Sequence, residues 1–278
     1  MEQKEEFSEE INLLDYLKVI QKHKKLIIFI VAIAAAATVV TSLLMTPVYE
    51  AKAVIAPASQ WNAPSGMSGL AVQFGIAAPP SNNVTEIVNL LNSNILRERM
   101  IEKYNLLHVF FKKEELEKQS ENKKIWAGLN YLKGALKVSY KQKDNIIEIS
   151  MQFKDPKMAA EIVNYTISEL TDYMSSEAKR VAETNKKYLE SQIDKISDPF
   201  IKTKIYSLIA QQIEQSMMAE VKENFAFKVL DPPKVPDKRI KPKRRQMVMI
   251  SFVTSLFAGI FAAFFKEYIE KVRSKGRL

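Results

Sequence analysis

The sequence contains no cysteine and only two histidines, His23 and His108, in 278 residues. The lack of cysteine excludes disulfides, a thiol nucleophile and a thiolate metal site. Two histidines far apart in sequence exclude a histidine-rich metal site. Walker, HExxH and GxSxG motifs are also absent, and the glutamates lie in charge runs typical of solvated helix faces. We therefore predict no catalytic, cofactor-binding or metal-binding residue, no cofactor and no enzymatic activity.

The positive charge of the chain is concentrated rather than spread. The formal net charge is +9, and one short run contains six of the basic residues: Lys238, Arg239, Lys241, Lys243, Arg244 and Arg245. The remainder of the middle region is nearly neutral, which argues against a nucleic-acid partner. Two interpretations of the run stay open. It is either an anchor for lipid headgroups, or a contact for a diphosphate-linked lipid or an acidic glycan.

Two long uncharged segments lie near the ends of the chain. Leu26–Met45 has 20 residues and Met247–Phe265 has 19, and each is long enough as a helix to span the ~30 Å hydrocarbon core of a bilayer. The predicted organisation is a cytoplasmic amphipathic segment (1–25), a first transmembrane helix (26–45), a periplasmic domain (46–246, with a proline-rich basic linker at 231–246), a second transmembrane helix (247–265) and a cytoplasmic tail (266–278).

Flanking charges predict the orientation of these helices. Lys22, Lys24 and Lys25 precede the first, and five basic residues follow the second. Positive charge favours the cytoplasmic side. The run Lys238–Arg245 favours the opposite orientation, but it carries less weight because long segments are translocated largely regardless of charge. We predict a membrane protein with both termini in the cytoplasm, a middle region on the opposite side and a retained first segment.

The first half of the middle region alternates between strand and helix patterns. Alternation and β-branched residues predict strands, and apolar residues at helical spacing predict helices. The predicted strands are Tyr49–Pro57, Leu136–Tyr140, Ile146–Phe153 and Phe225–Leu230, and the predicted helices are Thr85–His108 and Ile125–Leu136. The charge run at 112–124 predicts a solvated helix or loop. Residues 56–83 predict a loop whose apolar patch, Gly69–Ala78, docks onto a neighbour.

The second half predicts two long helices. Asp155 and Pro156 form an N-terminal cap signal for a helix to about Ile196, and Pro199 opens a helix over Phe200–Glu223. Both have a narrow apolar seam near 3.5-residue spacing, which favours helix-on-helix packing. The seam residues are Val163, Ile167, Leu170, Met174, Ala178, Val181, Tyr188 and Ile196, then Ile201, Ile205, Leu208, Gln212 and Val221.

These two helices form an antiparallel hairpin in the simplest arrangement. Their unequal lengths predict that the first helix breaks early or that the tip kinks. In the second transmembrane segment, Gly259 and nearby alanines suit close helix packing. The predicted fold is an α+β membrane protein in which two transmembrane helices flank a periplasmic domain, with a small membrane-proximal α/β base and a long helical hairpin extension.

Three stretches resemble a known family. INLLDYLKVIQKHKKLIIFIV followed by TPVYEAKAVIAP resembles the N-terminal signature of bacterial Wzz-type chain-length determinants, which are polysaccharide co-polymerases. FKVLDPPKVPDKRIKPKRR, followed by a span and a short basic tail, is similar to the family's proline-rich approach to its second span. DPKMAAEIVNYTISEL resembles the start of the family's long helix. The resemblance covers both ends of the chain and one internal segment.

The resemblance implies a non-enzymatic homo-oligomer in the inner membrane. Such proteins set the chain length of O-antigen or a related surface polysaccharide together with a membrane polymerase. The implied contacts are the polymerase, the nascent lipid-linked glycan and inner-membrane lipids. The missing ATP-binding module separates this chain from the kinase members. The alternative function is a periplasmic adaptor for capsule or exopolysaccharide export.

Overall fold

The computed structural model describes residues 13–57, 84–117, 120–221 and 226–275. They belong to two compact units, one formed by Met1–Pro47 with Ile240–Leu278 and the other by Val48–Arg239. The apolar patch Gly69–Ala78 lies outside the described residues, so its docking onto a neighbour stays a prediction.

The elements follow one another in a simple order. The helices are α1 Leu13–Lys22, α2 Lys24–Leu44, α3 Val84–Asn92, α4 Asn94–Lys103, α5 Leu107–Phe110, α6 Lys113–Glu117, α7 Glu121–Ala135, α8 Pro156–Ile193, α9 Pro199–Val221 and α10 Arg244–Lys275. The strands are β1 Tyr49–Pro57, β2 Leu136–Lys141, β3 Ile146–Phe153 and β4 Phe227–Asp231. The four predicted strands are therefore confirmed, with their ends shifted by at most two residues in the described part of the chain.

The first unit consists of α1 and the helix pair, α2 with α10. Both helices of the pair are long and apolar enough to cross a membrane. Their large apolar side chains are mostly exposed within the chain, for example Phe29 at 65% and Phe261 at 72%, as expected for side chains that face lipid. The predicted spans lie inside these helices apart from Met45, and α10 continues ten residues beyond its span to Lys275.

The second unit is built on one antiparallel sheet with the strand order β2-β3-β1-β4. In the central pair, Ala53 lies opposite Ile149 and Ala51 opposite Met151. These four side chains are fully or almost fully buried, because alternate residues of both strands face the same side. Glu50, Lys52 and Glu148 lie on the other face, where Lys52 pairs with Glu148 at 2.8 Å.

Helices α3, α4, α7 and the first half of α8 share one hydrophobic core with the sheet, and we call this assembly the base. The predicted single helix Thr85–His108 is wrong, because the chain forms three helices there. Ser93 interrupts it: its Oγ accepts a hydrogen bond from the Leu96 amide at 3.2 Å and so caps α4. Asn105, with φ of +50°, separates α4 from α5.

Helix α8 is unbroken from Pro156 to Ile193, so of the two predicted alternatives, an early break and a kinked tip, the early break is wrong. The reason is that its first half belongs to the base, where Ile162, Val163 and Leu170 are buried in the core. Only its second half pairs with the shorter α9. We call this pair, the second half of α8 with α9, the hairpin. The predicted architecture of terminal apolar helices, small sheet and long helical hairpin is confirmed.

Candidate functional site

The inner seam of the hairpin combines apolar and polar contacts. Leu189 packs with Leu208 and other buried residues near the tip. Further along, the buried Asn185 Nδ2 donates a 3.1 Å hydrogen bond to Gln212 Oε1. Closer to the base, the Ser175 hydroxyl donates to the Ala219 carbonyl. Buried polar pairs of this kind select one register of two helices.

The structure corrects part of the predicted seam. Met174 and Ala178 are buried as predicted, whereas Tyr188 is 47% exposed and Leu189 is buried in its place. On α9, the predicted burial of Ile205, Leu208 and Gln212 is confirmed. Val221, however, is 71% exposed, and Ala219 is buried at that level instead.

A second apolar line runs along the outside of α9, and we call it the outer stripe. Its members are Tyr206, Ala210, Ile213, Met217 and Val221. Tyr206 is 57% exposed, Ile213 41% and Met217 64%. Their separations of four, three, four and four residues keep them on one face of the helix. A line of large apolar side chains exposed at this spacing is the kind of surface that packs against another helix.

A cluster of ion pairs stabilises the base next to the hairpin. The buried Glu169 accepts hydrogen bonds from Arg99 Nε at 2.7 Å and Lys103 Nζ at 2.9 Å. Lys103 also donates to Asp172 at 2.8 Å. The hydrogen bonds that Lys103 donates to Asp172 and then to Glu169 raise the pKa of its ammonium group above the ordinary value. The cluster ties α4 to α8 with charges on both partners satisfied, which is a structural arrangement rather than a reactive one.

In the first unit, the helix pair is held by close packing and hydroxyl contacts. A Cβ placed on Gly259 would lie 3.2 Å from Ile27 Cγ2 and 3.3 Å from Ile27 Cα, so the missing side chain lets the two backbones approach. Thr38 Oγ1 and Ser251 Oγ share a 2.7 Å hydrogen bond between the same helices. The prediction that Gly259 serves close packing is confirmed.

A polar cluster joins the helix pair at one end. Lys22 Nζ donates to Glu267 at 2.7 Å and to Glu270 at 3.0 Å. The buried His23 contacts the same Glu267 oxygen through Nε2 at 3.0 Å. Sequence reasoning did not single out these acids. The signal for them is a pair of glutamates one helical turn apart directly after the second apolar segment, together with Lys22 and His23 directly before the first.

Ligand-type atoms of His23, Glu267 and Glu270 lie within 4.8 Å of one another. The Lys22 ammonium, however, already supplies the positive charge between the two carboxylates. This cluster therefore needs no metal ion to be electrostatically balanced. The absence of catalytic, cofactor-binding and metal-binding residues stays a prediction, and the surfaces described above are suited to packing and ion pairing.

Comparison with known proteins bears on the first third of the chain and on the fold. The family model described as "Chain length determinant protein" (Wzz) matches residues 9–104. No curated protein sequence matches the chain significantly.

Two solved structures are similar to the chain. A "full-length bacterial polysaccharide co-polymerase" aligns with a TM-score of 0.50 and 13% identity, over 94% of this chain and 99% of that one. A fragment of WzzB, a polysaccharide co-polymerase from Salmonella Typhimurium, aligns with a TM-score of 0.34 and 12% identity, over 70% of this chain and 100% of the fragment. At such identities the first alignment speaks for the fold alone. Residues 9–104 therefore match the Wzz chain length determinant model, and the chain has the fold of a polysaccharide co-polymerase.

Proposed function

We propose that the chain is a non-enzymatic scaffold of the bacterial inner membrane that regulates the chain length of O-antigen or a related surface polysaccharide, together with a membrane polymerase. The observation that carries the proposal is the match of residues 9–104 to the chain length determinant model. The co-polymerase fold and the two membrane-type helices at the ends of the chain support it.

The proposed topology has both termini in the cytoplasm and residues 46–246 in the periplasm. The ion pairs of Lys22 with Glu267 and Glu270 support a common side for the two ends, because they join the last residue of α1, directly before α2, to the C-terminal part of α10. The lysines before α2 favour the cytoplasm for that side. The amphipathic segment and the tail then flank the inner face of the membrane.

The proposed scaffold is a homo-oligomer in which the outer stripe of each copy packs on a neighbouring copy. Met217 and Tyr206 are more than half exposed in the single chain, and burying such side chains is worth ~1.5–3 kcal/mol each. The proposed occupant of the stripe is a second copy of the chain. The stripe has the spacing of a helix-packing seam, and a neighbouring copy carries the same hairpin, whose helices can pack against it. In the assembly, the polymerase and the nascent lipid-linked glycan are the further proposed partners.

The test is the length distribution of the surface polysaccharide on a gel. Deleting the gene is expected to convert a clustered length distribution into a broad one, and the wild-type gene restores clustering. The variant Met217→Lys is expected to behave like the deletion, whereas Gln211→Lys, about 120° away around α9, is expected to complement.

Other outcomes count against the proposal. If deletion leaves polymer of unchanged length trapped inside the cell, the protein is an export adaptor instead. If neither length nor export changes, chain-length control is wrong for this protein. Expression of each variant is measured by immunoblot of the membrane fraction, so that loss of protein is not mistaken for loss of function.

A further inference from the structure

The two ends of the helix pair differ in their charge balance. Residues 24–47 and 240–266 contain no acidic residue. At the Glu267 end, the bases have acidic partners in Glu267 and Glu270. At the other end lie Lys243, Arg244 and Arg245, and the first turn of α10 contains no acid. Within residues 24–47 and 240–266, that end therefore combines Lys243, Arg244 and Arg245 with no acidic residue.

The N-terminus of α10 adds to this excess. A helix of 32 residues carries a partial positive charge at its first turn, where backbone amides lack intrahelical acceptors. Acidic side chains are the usual residues at such a position. Here two arginines, Arg244 and Arg245, take their place. The arrangement is electrostatically unfavourable by itself and becomes favourable when an anion binds.

Two buried polar atoms at this end also lack a partner. Ser42 is 1% exposed, and its Oγ makes no hydrogen bond to any described residue. The same holds for Arg244 Nε, which is buried although the rest of the side chain is partly exposed. Because a buried donor without an acceptor is costly, these atoms indicate a ligand that supplies acceptors.

Helix periodicity places these two residues at a similar level on the facing sides of the helix pair. The hydrogen bond between Thr38 and Ser251 fixes the register of the antiparallel pair. Ser42 is one turn beyond Thr38, and Arg244 is two turns before Ser251, so each lies on the face that meets the other helix. Ser42 is then level with residue 247, which is about 4.5 Å along the axis from Arg244.

We propose that Ser42 and Arg244 bind a phosphate group of a membrane lipid. The Ser42 hydroxyl and the Arg244 guanidinium supply the hydrogen bonds, and Arg245, Lys243 and the α10 N-terminus supply the positive potential. A lipid is the source of the phosphate because the site lies where an apolar helix pair ends, at the depth of headgroups. The phosphate belongs either to an ordinary phospholipid or to the diphosphate of a lipid-linked glycan carrier. The inference depends on the proposed membrane insertion but not on chain-length control.

The experiment uses the full chain, purified in neutral detergent and titrated with lipid under native mass spectrometry. The probes are phosphatidylglycerol, a polyprenyl diphosphate and diacylglycerol, which lacks phosphate. Wild type is expected to bind both phosphate lipids and not diacylglycerol. Arg244→Gln is expected to weaken binding about tenfold or more, because it removes charge-assisted hydrogen bonds. Ser42→Ala is expected to weaken it about two- to fivefold.

Matched controls test whether the site is specific. Arg273→Gln removes the same charge at the other end of α10, and Ser255→Ala removes another buried hydroxyl of the pair, one that bonds to the Phe252 carbonyl. Both are expected to bind like wild type. Equal weakening by Arg244→Gln and Arg273→Gln, or equal binding of diacylglycerol, overturns the proposal.

Further variants and probes separate the remaining outcomes. Arg244→Lys keeps the charge and loses the guanidinium, so the proposal requires it to bind more weakly than wild type; wild-type affinity in this variant overturns the role of Arg244. Arg244→Lys also tests the proposal if Arg244→Gln does not yield folded protein.

The two phosphate lipids identify the source of the phosphate. At least tenfold tighter binding of the polyprenyl diphosphate than of phosphatidylglycerol identifies the glycan carrier, and equal affinities identify an ordinary headgroup. Because no polysaccharide is measured, failure here leaves the proposed function intact.

Discussion

At the scale of single residues, the buried carboxylate of Glu169 supports two cations at once. Its side chain is 1% exposed, whereas Arg99 and Lys103 are about half exposed. We expect Glu169→Gln to reduce the free energy of unfolding by about 1–3 kcal/mol. The buried side chain loses its charge-assisted hydrogen bonds, whereas the half-exposed Arg99 and Lys103 are hydrated instead. Thermal unfolding of the full chain in detergent measures the loss. Glu177→Gln, at the exposed pair with Arg180, is the control, and an equal effect would contradict the expectation.

The carboxylate of Glu148 leads to a prediction about the stability of the fold at acid pH. Hydrogen bonds from Lys141 and then Lys52 hold the pKa of its carboxyl below the ordinary value. A lowered pKa in the folded state stabilises the fold above the unfolded-state pKa, and the stabilisation is lost as the pH falls through the folded-state pKa. We expect Glu148→Gln to flatten the decline of Tm between about pH 5 and pH 3. The control is Glu183→Gln on the exposed face of α8; a slope unchanged by Glu148→Gln would refute this role.

Single-residue burial along α8 shows where sequence reasoning reaches its limit. A 3.5-residue seam selects Val181 and Tyr188, whereas the helix buries Ala182, Asn185 and Leu189. A straight helix drifts by ~20° per heptad from a 3.5-residue repeat, so the error grows along its 38 residues. Apolar residues on the outer side, such as Tyr188, then look like seam residues although they face away.

At the scale of elements, Gly259 governs how closely the helices of the pair approach. We expect Gly259→Leu to push α2 and α10 apart, because even a Cβ would stand 3.3 Å from the Ile27 backbone. The chain contains no cysteine, so Thr38→Cys with Ser251→Cys reports the distance as a disulfide. The crosslink is expected to form in the otherwise unchanged chain and to fall severalfold with Gly259→Leu.

The exposed neighbour Ala258 provides the control for that experiment. Ala258→Leu introduces the same side chain on the exposed side of α10 and is expected to leave the crosslink unchanged. Equal crosslinking in Gly259→Leu and Ala258→Leu would show that the packing at Gly259 does not set the separation.

The outer stripe of α9 leads to a prediction about assembly. Met217→Lys places a charge in the middle of the stripe, and we expect it to shift the detergent-solubilised chain from oligomer to smaller species in light scattering. Gln211→Lys adds the same charge away from the stripe and is expected to leave the mass unchanged. A wild-type chain that is monodisperse and monomeric in mild detergent would refute the proposed oligomer.

Among the elements, those with local signals were predictable and those that depend on a single cap were not. β1 and β3 were predicted with their observed ends because alternation and the turn at 141–145 are local signals. The interruption at Ser93 was missed since the apolar spacing continues through it. The start of α7 at Glu121 was also missed, because a polar first turn resembles the charge run before it.

At the scale of the whole molecule, the proposed topology predicts which side of the membrane each segment occupies. Single cysteines replace Lys187 on the exposed face of α8 and Arg273 near the end of α10. In intact spheroplasts, a membrane-impermeant maleimide is expected to label Lys187→Cys and not Arg273→Cys. After permeabilisation both are expected to react. Labelling of Arg273→Cys alone before permeabilisation would reverse the proposed orientation.

The two apolar terminal helices and the helical hairpin were predictable because long uncharged segments and helix-opening prolines are strong signals that do not depend on tertiary contacts. The polar cluster of Lys22, His23, Glu267 and Glu270 was not, because its members are about 245 residues apart in sequence. Only the antiparallel packing of α2 and α10 brings them together. Contacts between residues this far apart in sequence can be identified only when the structure gives the pairing of the helices.

The amide pair of Asn185 and Gln212 has a consequence for symmetry. Sliding α9 by one turn along α8 would break the hydrogen bond between Asn185 and Gln212 in the buried seam, and a buried polar group that loses its partner costs roughly 1–3 kcal/mol. The hairpin therefore closes in one alignment, and every copy presents the outer stripe at the same height above its own sheet. Subunits that are superimposable in this way satisfy the condition for a closed ring, in which each interface repeats by pure rotation.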